Sequence, residues 1–219
     1  VLIDGAQEAG FEAANEIGGG GAIGTTTISI VPWAIGEDLT GNIAGTNPGN
    51  SLVQYDAVNG FRALDFATEY STFAGASGAT DNVRETASVA VAAGATTVNS
   101  LVIDNSGAAT DILSTGTAGD SLTNTSGAFL FTLTGGGTTG TNFTTTLGGF
   151  ADGISVGGAV GNVGNEYNFF VVNPDLEDAT NTLTAAVTSN LVSAADVTKS
   201  GRGILDLTGL DAVANVAGG

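Results

Sequence analysis

The sequence contains no Cys and no His or Met, and among its 219 residues only 4 are Lys or Arg, against 22 Asp or Glu. Each absence excludes a class of chemistry. Without His or Cys there is no imidazole acid–base relay, no thiolate nucleophile, no disulfide, no Cys/His zinc site and no iron–sulfur cluster, and the usual haem axial ligands are missing too. Four bases cannot neutralise a run of phosphates, which excludes backbone-driven nucleic-acid binding. No apolar run approaches the ~18 residues of a membrane-spanning helix, so no membrane insertion is expected. No basic segment followed by an apolar stretch marks a signal peptide. The chain opens Val1-Leu2-Ile3-Asp4 like the inside of a strand, and is read as a processed product or a segment of something longer.

What is present is small and apolar. There are 35 Gly, the hydrophobic fraction is 42%, and only 12% of residues are charged, so the net charge of −18 comes from missing bases rather than abundant acids. That hydrophobic content is too high for a disordered chain and sufficient for a core. Helical periodicity is confined to Gln7 to Ile17, where Gly10 interrupts it. Elsewhere, short β-branched and aromatic runs are separated by Gly, Asn, Asp, Ser and Thr. They predict strands over Thr26–Ile30, Ser51–Tyr55, Ser88–Val91, Thr97–Ile103, Ala128–Leu133, Phe143–Leu147, Gly153–Val156, Tyr167–Val172, Thr182–Val187 and Gly203–Leu207.

These runs lack the regular Asn-Gly or Asp-Gly turns of a hairpin meander. Asn105-Ser106-Gly107, Thr125-Ser126-Gly127 and Gly135-Gly136-Gly137 instead suit the bends of a β-solenoid, where successive coils stack. The expected fold is all-β, a parallel β-helix, with a β-sandwich as the alternative. Residues 1–219 are read as one solenoid segment with loop excursions at about 33–50 and 65–82, whose Trp33, Phe66, Tyr70 and Phe73 are expected to cover the flank of the stack.

The stretch from Asp196 to Gly209, DVTKSGRGILDLTG, resembles the autotransporter-associated β-strand repeat: Lys199, the paired Gly201 and Gly203, and the Leu205-x-Leu207 alternation match its core. Asn181 to Val187 resembles the segment that usually precedes that motif. The stretches Gln54 to Arg62 and Ala79 to Arg84, followed by Thr97 to Leu101, resemble spacers of large surface proteins that carry the repeat. The resemblance implies an exported bacterial protein, extracellular or at the cell surface, with a right-handed parallel β-helix. It departs from the family in showing one clean repeat and no translocator barrel.

Carboxylates are the only plentiful reactive groups. Asp175, Glu177 and Asp178 lie together after Pro174 and form a candidate oxygen-ligand set for calcium, although the spacing is not that of an EF-hand. No other cofactor is expected. Asp104, Asp111 and Asp120 would stand on successive coils of a solenoid, and paired acids in a groove could serve polysaccharide cleavage. Arg62 and Arg84 are expected to pin carboxylates. Trp33, Tyr55, Tyr70 and Tyr167 are the aromatics available for a sugar-binding face. Asn124 and Asn142 begin glycosylation sequons.

Together these features point to a non-enzymatic structural component of a filament, sheath or surface layer that self-associates through uncapped strand edges. The alternatives are an adhesin or polysaccharide-binding module, and a polysaccharide-degrading enzyme.

Overall fold

The computed structural model describes residues 16–37, 49–56, 60–75, 78–105, 110–133, 142–157, 166–172 and 182–208. The described chain is all-β and most of its sheet is parallel. Three parallel sheets run side by side. The first contains β4 (Asn82–Glu85), β7 (Ser100–Asp104), β10 (Ala128–Thr132), β13 (Glu166–Val171) and β15 (Asp196–Ser200), paired in that order. The second contains β5 (Val89–Ala90), β8 (Ile112–Leu113), β11 (Asn142–Gly148), β14 (Thr182–Val187) and β16 (Ile204–Asp206). The third contains β6 (Ala95–Val98), β9 (Ser121–Asn124) and β12 (Ile154–Val156), and Leu191 bridges onto Ile154 beside it. The chain visits the sheets in rotation, first to second to third and back to the first, so each pairing joins strands one circuit apart. A sandwich built from hairpins would pair its strands antiparallel instead.

A fourth sheet is antiparallel: β1 (Val31–Gly36), β2 (Ser51–Asp56) and β3 (Gly60–Ala63) in chain order. It explains a contrast in burial. The inner sides of the parallel sheets share one core, which includes Leu101, Phe129 and Phe169 from the first sheet, Leu147 and Leu183 from the second, and Leu122 and Ile154 from the third. The outer side of the first sheet, with Val102, Leu130 and Phe170, packs on a second cluster with Ile28, Ile30, Leu52, Leu64 and Tyr70. Strands covered on both faces are buried throughout, as β7 and β10 are at every position, with Leu101-Val102-Ile103 and Ala128 to Phe131 as their apolar runs. Strand β14 is covered on one face only and alternates half-buried and buried residues along TLTAAV.

Within the first core, aromatic rings stack along the register. Phe129 pairs with Phe169 across β10 and β13, and their ring centroids lie 5.0 Å apart. Tyr167 stacks on both at 6.2–6.5 Å, and its hydroxyl donates to the Ile154 carbonyl at 2.8 Å. The polar end of a wholly buried ring is thereby satisfied.

Several expectations change. The span 33–50 begins as sheet, because Val31–Gly36 is β1; Pro32 is tolerated there because β1 lies at an edge of its sheet. The Thr26–Ile30 run is not a strand: Thr26 and Thr27 lie in a turn and only Ile30 bridges, to Ile17. Thr97–Ile103 divides into β6 and β7 at Asn99, whose buried amide donates to the Ile17 carbonyl and to Asn82. The segment 65–81 has no strand among its described residues beyond a bridge at Ser71. Most of the Gln7–Ile17 segment and Gly135–Gly137 lie outside the described residues.

Candidate functional site

Several carboxylates among the described residues act as acceptors that hold bends and join segments. Asp120 immediately precedes β9 and is fully buried. It accepts from the Gly94 N–H at 2.7 Å, the Ser114 hydroxyl at 2.9 Å, the Thr115 hydroxyl at 2.6 Å and the Thr117 N–H at 3.1 Å. The Thr115 hydroxyl foremost, then these backbone and hydroxyl donors, hold its carboxyl well below the usual range. The bond to Gly94 crosses from one circuit to the previous one, and the pattern recurs. Asp152 accepts from the Gly119 N–H at 3.1 Å, and the Ser189 hydroxyl accepts from the Phe150 N–H at 2.8 Å. Side-chain oxygens on three successive circuits thus stitch the same corner.

Asp104, Asp111 and Asp120 do not stack on successive circuits. Within one circuit, Asp104 and Asp111 flank the β7–β8 connection and Asp120 precedes β9. Asp111 accepts from the Thr146 N–H at 2.8 Å. Asp104 is fully buried and forms an ion pair with Arg84, whose guanidinium carbon lies 3.9 Å above the Phe66 ring. Arg62 grips Glu69 with two bonds of 2.6 and 2.7 Å. Burial pushes the Glu69 carboxyl up, but Arg62 and the N–H groups of Gly24 and Asp65 more than reverse this, leaving it below its ordinary value. Both arginines therefore pin carboxylates, Arg84 beside the second apolar cluster, to which Val102 and Phe66 belong.

Among the described residues no group of three or more Asp and Glu is placed to hold a metal ion. Asp175, Glu177 and Asp178 lie outside the described residues. The aromatics do not form one face: Tyr70 and Tyr167 are buried, Tyr55 is half-buried with its ring edge-on to Phe61 at 5.3 Å, and Trp33 is exposed. Of the two sequons, Asn124 is fully buried and its amide donates to the Ala128 carbonyl at 2.8 Å, whereas Asn142 is exposed at the start of β11.

The repeat-like motif occupies the far end of the sheets. Lys199 lies in β15, Gly201 to Gly203 make the bend into β16, and Leu205 and Leu207 pack against the first core. Gly201 has φ = +87°, and a Cβ there would come 2.3 Å from the Val171 carbonyl oxygen. Gly201→Ala is expected to cost about 1–3 kcal/mol, read as a lower urea midpoint. Gly78→Ala, which would meet nothing within 4 Å, should leave the midpoint unchanged. At this end no described strand pairs with the outer edges of β15 and β16, and Val197 and Ile204 are exposed.

The opposite end is covered. Ser71 bridges Val83 on the outer edge of β4, and Phe73 packs against the first core. The Phe73 N–H donates to Glu85 at 2.6 Å. Burial raises the Glu85 carboxyl above its ordinary value, while the Phe73 N–H pulls the other way. A carboxyl raised in the folded state favours folding below its unfolded pKa and loses that contribution as pH rises through the folded value. Glu85→Gln keeps the acceptor oxygen and removes the charge. It is expected to melt higher than the parent at neutral pH, with the gap closing as pH falls towards about 4; melting curves between those limits check it.

Comparison with protein-family models, with curated proteins and with solved structures finds no match to this chain.

Proposed function

We propose that the chain is a segment of a right-handed parallel β-solenoid with a structural, non-enzymatic role, serving a bacterial extracellular filament, sheath or surface layer. The rotation of the chain through three parallel sheets around one core supports the solenoid reading, and its hand follows from the strong preference for right-handed crossovers between parallel strands. The resemblance at Asp196 to Gly209 supports export and surface display. The acids whose bonds are described above serve as internal acceptors, which fits a scaffold better than a reaction centre.

The single observation that carries self-association is the end formed by β15 and β16. Their outer edges are unpaired among the described residues, and Val197, in register with the buried Tyr167, is exposed. An open edge is a template for a further strand, and a contact that does not close extends into a filament. Sedimentation velocity over a concentration series tests this. The parent chain is expected to grow in mass with concentration, whereas Val197→Asp/Ile204→Asp should remain monomeric with an unchanged circular dichroism spectrum. Equal behaviour of the two would contradict the edge as the contact.

A further inference from the structure

The interior column of the first sheet runs Val83, Leu101, Phe129, Phe169 and then Lys199, each in register with the next. Four strands place an apolar side chain there and the terminal strand places an ammonium. A further strand pair laid over β15 would bury that ammonium, at a cost of several kcal/mol unless the incoming surface supplies an acceptor.

The distribution of charge points to a carboxylate. All four bases lie among the described residues; Arg62 and Arg84 are committed to Glu69 and Asp104. Lys199 and Arg202 are both exposed, flank the Gly201 bend, and form no ion pair with a described residue. Lys199 donates to the Gly201 carbonyl at 2.5 Å. The acids of the same two strands, Asp196 and Asp206, lie at the ends remote from the bend, and Asp206 accepts from the Thr208 N–H and hydroxyl. A chain of net charge −18 therefore carries both of its solvent-facing cations at one corner of its open end.

We propose that this end docks an acidic surface of a second copy of the chain, with Lys199 and Arg202 as the residues that select it. The proposal rests on the self-association reading and adds direction and chemistry to it. Two different surfaces meet, cation-bearing end against acid-bearing face, so the contact is heterologous and continues beyond a dimer. Because the β4 edge is covered by Ser71 and Phe73, the incoming surface is another face of the second copy rather than a free strand edge at Val83. Association driven by opposite charges weakens with salt.

The test is sedimentation velocity of the full chain at a series of NaCl concentrations, beside Lys199→Glu/Arg202→Glu and Lys199→Met/Arg202→Gln, with a melting curve for each. The expected result is a parent association that weakens about tenfold or more between 50 and 500 mM NaCl. Charge reversal should abolish it, and the neutral variant should associate weakly and without salt dependence. If the parent associates independently of salt and the neutral variant matches or exceeds it, self-association stands and the acidic partner face is wrong. Assembly that stops at two copies overturns the head-to-tail contact. A parent that stays monomeric, with a charge-reversed variant that melts lower, shows the end covered by the chain's own residues and overturns both readings.

Discussion

Phe129→Ala is expected to lower the unfolding free energy by about 3–5 kcal/mol, among the largest effects available from one side chain. Phe129 is fully buried, stacks on Phe169 and Tyr167, and lies in register with Leu101 on the other side. Truncation removes a contact to the circuit before and to the circuit after. In a stack whose stability is close to a sum of neighbour terms, both interfaces lose strength together. The cavity cannot fill from the side, because the outer face of β10 is itself buried against the second cluster. Urea unfolding followed by circular dichroism measures the loss. Thr144→Ala, on the exposed face of β11, should change stability by less than about 0.5 kcal/mol. A loss at Phe129 below ~1 kcal/mol would mean that the column is not packed as described.

The second large effect lies at the buried ion pair between β4 and β7 of the first sheet, beside the second apolar cluster. Arg84→Ala leaves Asp104 buried without its cation, and removing one partner of a buried pair costs about 3–5 kcal/mol. The guanidinium also gives up its place on the Phe66 ring. Replacing both members by apolar residues, Arg84→Met with Asp104→Leu, removes the unpaired charge and should recover most of the loss. A double-mutant cycle read by thermal unfolding therefore predicts strong positive coupling. Because the pair is shielded from solvent, that coupling should change little with added salt, in contrast to the self-association proposed at the Lys199 end. Additive single losses would show that the two groups act independently.

Strand content was legible where one chemical signal dominated. Ala128–Leu133 and Tyr167–Val172 are apolar on both faces, and they became β10 and β13 nearly residue for residue. The all-β, parallel character also followed from the missing hairpin turns. Strands built from polar or charged residues were hidden: β4 is Asn-Val-Arg-Glu and β9 is Ser-Leu-Thr-Asn, and each is held by partners one circuit away rather than by local propensity. The antiparallel sheet was missed for the same reason at β3, Gly-Phe-Arg-Ala, and because Trp33 beside Pro32 imitates a loop.

The corner stitch was present but faint. Ala93-Gly94-Ala95, Gly119-Asp120-Ser121 and Ala151-Asp152-Gly153 share small residues around one position that is acidic in the last two, and the uneven lengths of the circuits hid their alignment. The roles of Arg62 and Arg84 were readable from neighbouring acids in kind, but the actual partners, Glu69 and Asp104, depend on the fold. Nothing local reveals that Lys199 continues a column of apolar residues, because that column exists only once the parallel register is set.

Electron microscopy of the purified chain over a concentration series tests the proposed β-solenoid scaffold and its extension through the open end. Fibres of constant width are expected at low salt, lengthening with concentration and absent for Val197→Asp/Ile204→Asp. Monodisperse single particles at high concentration and low salt would contradict it.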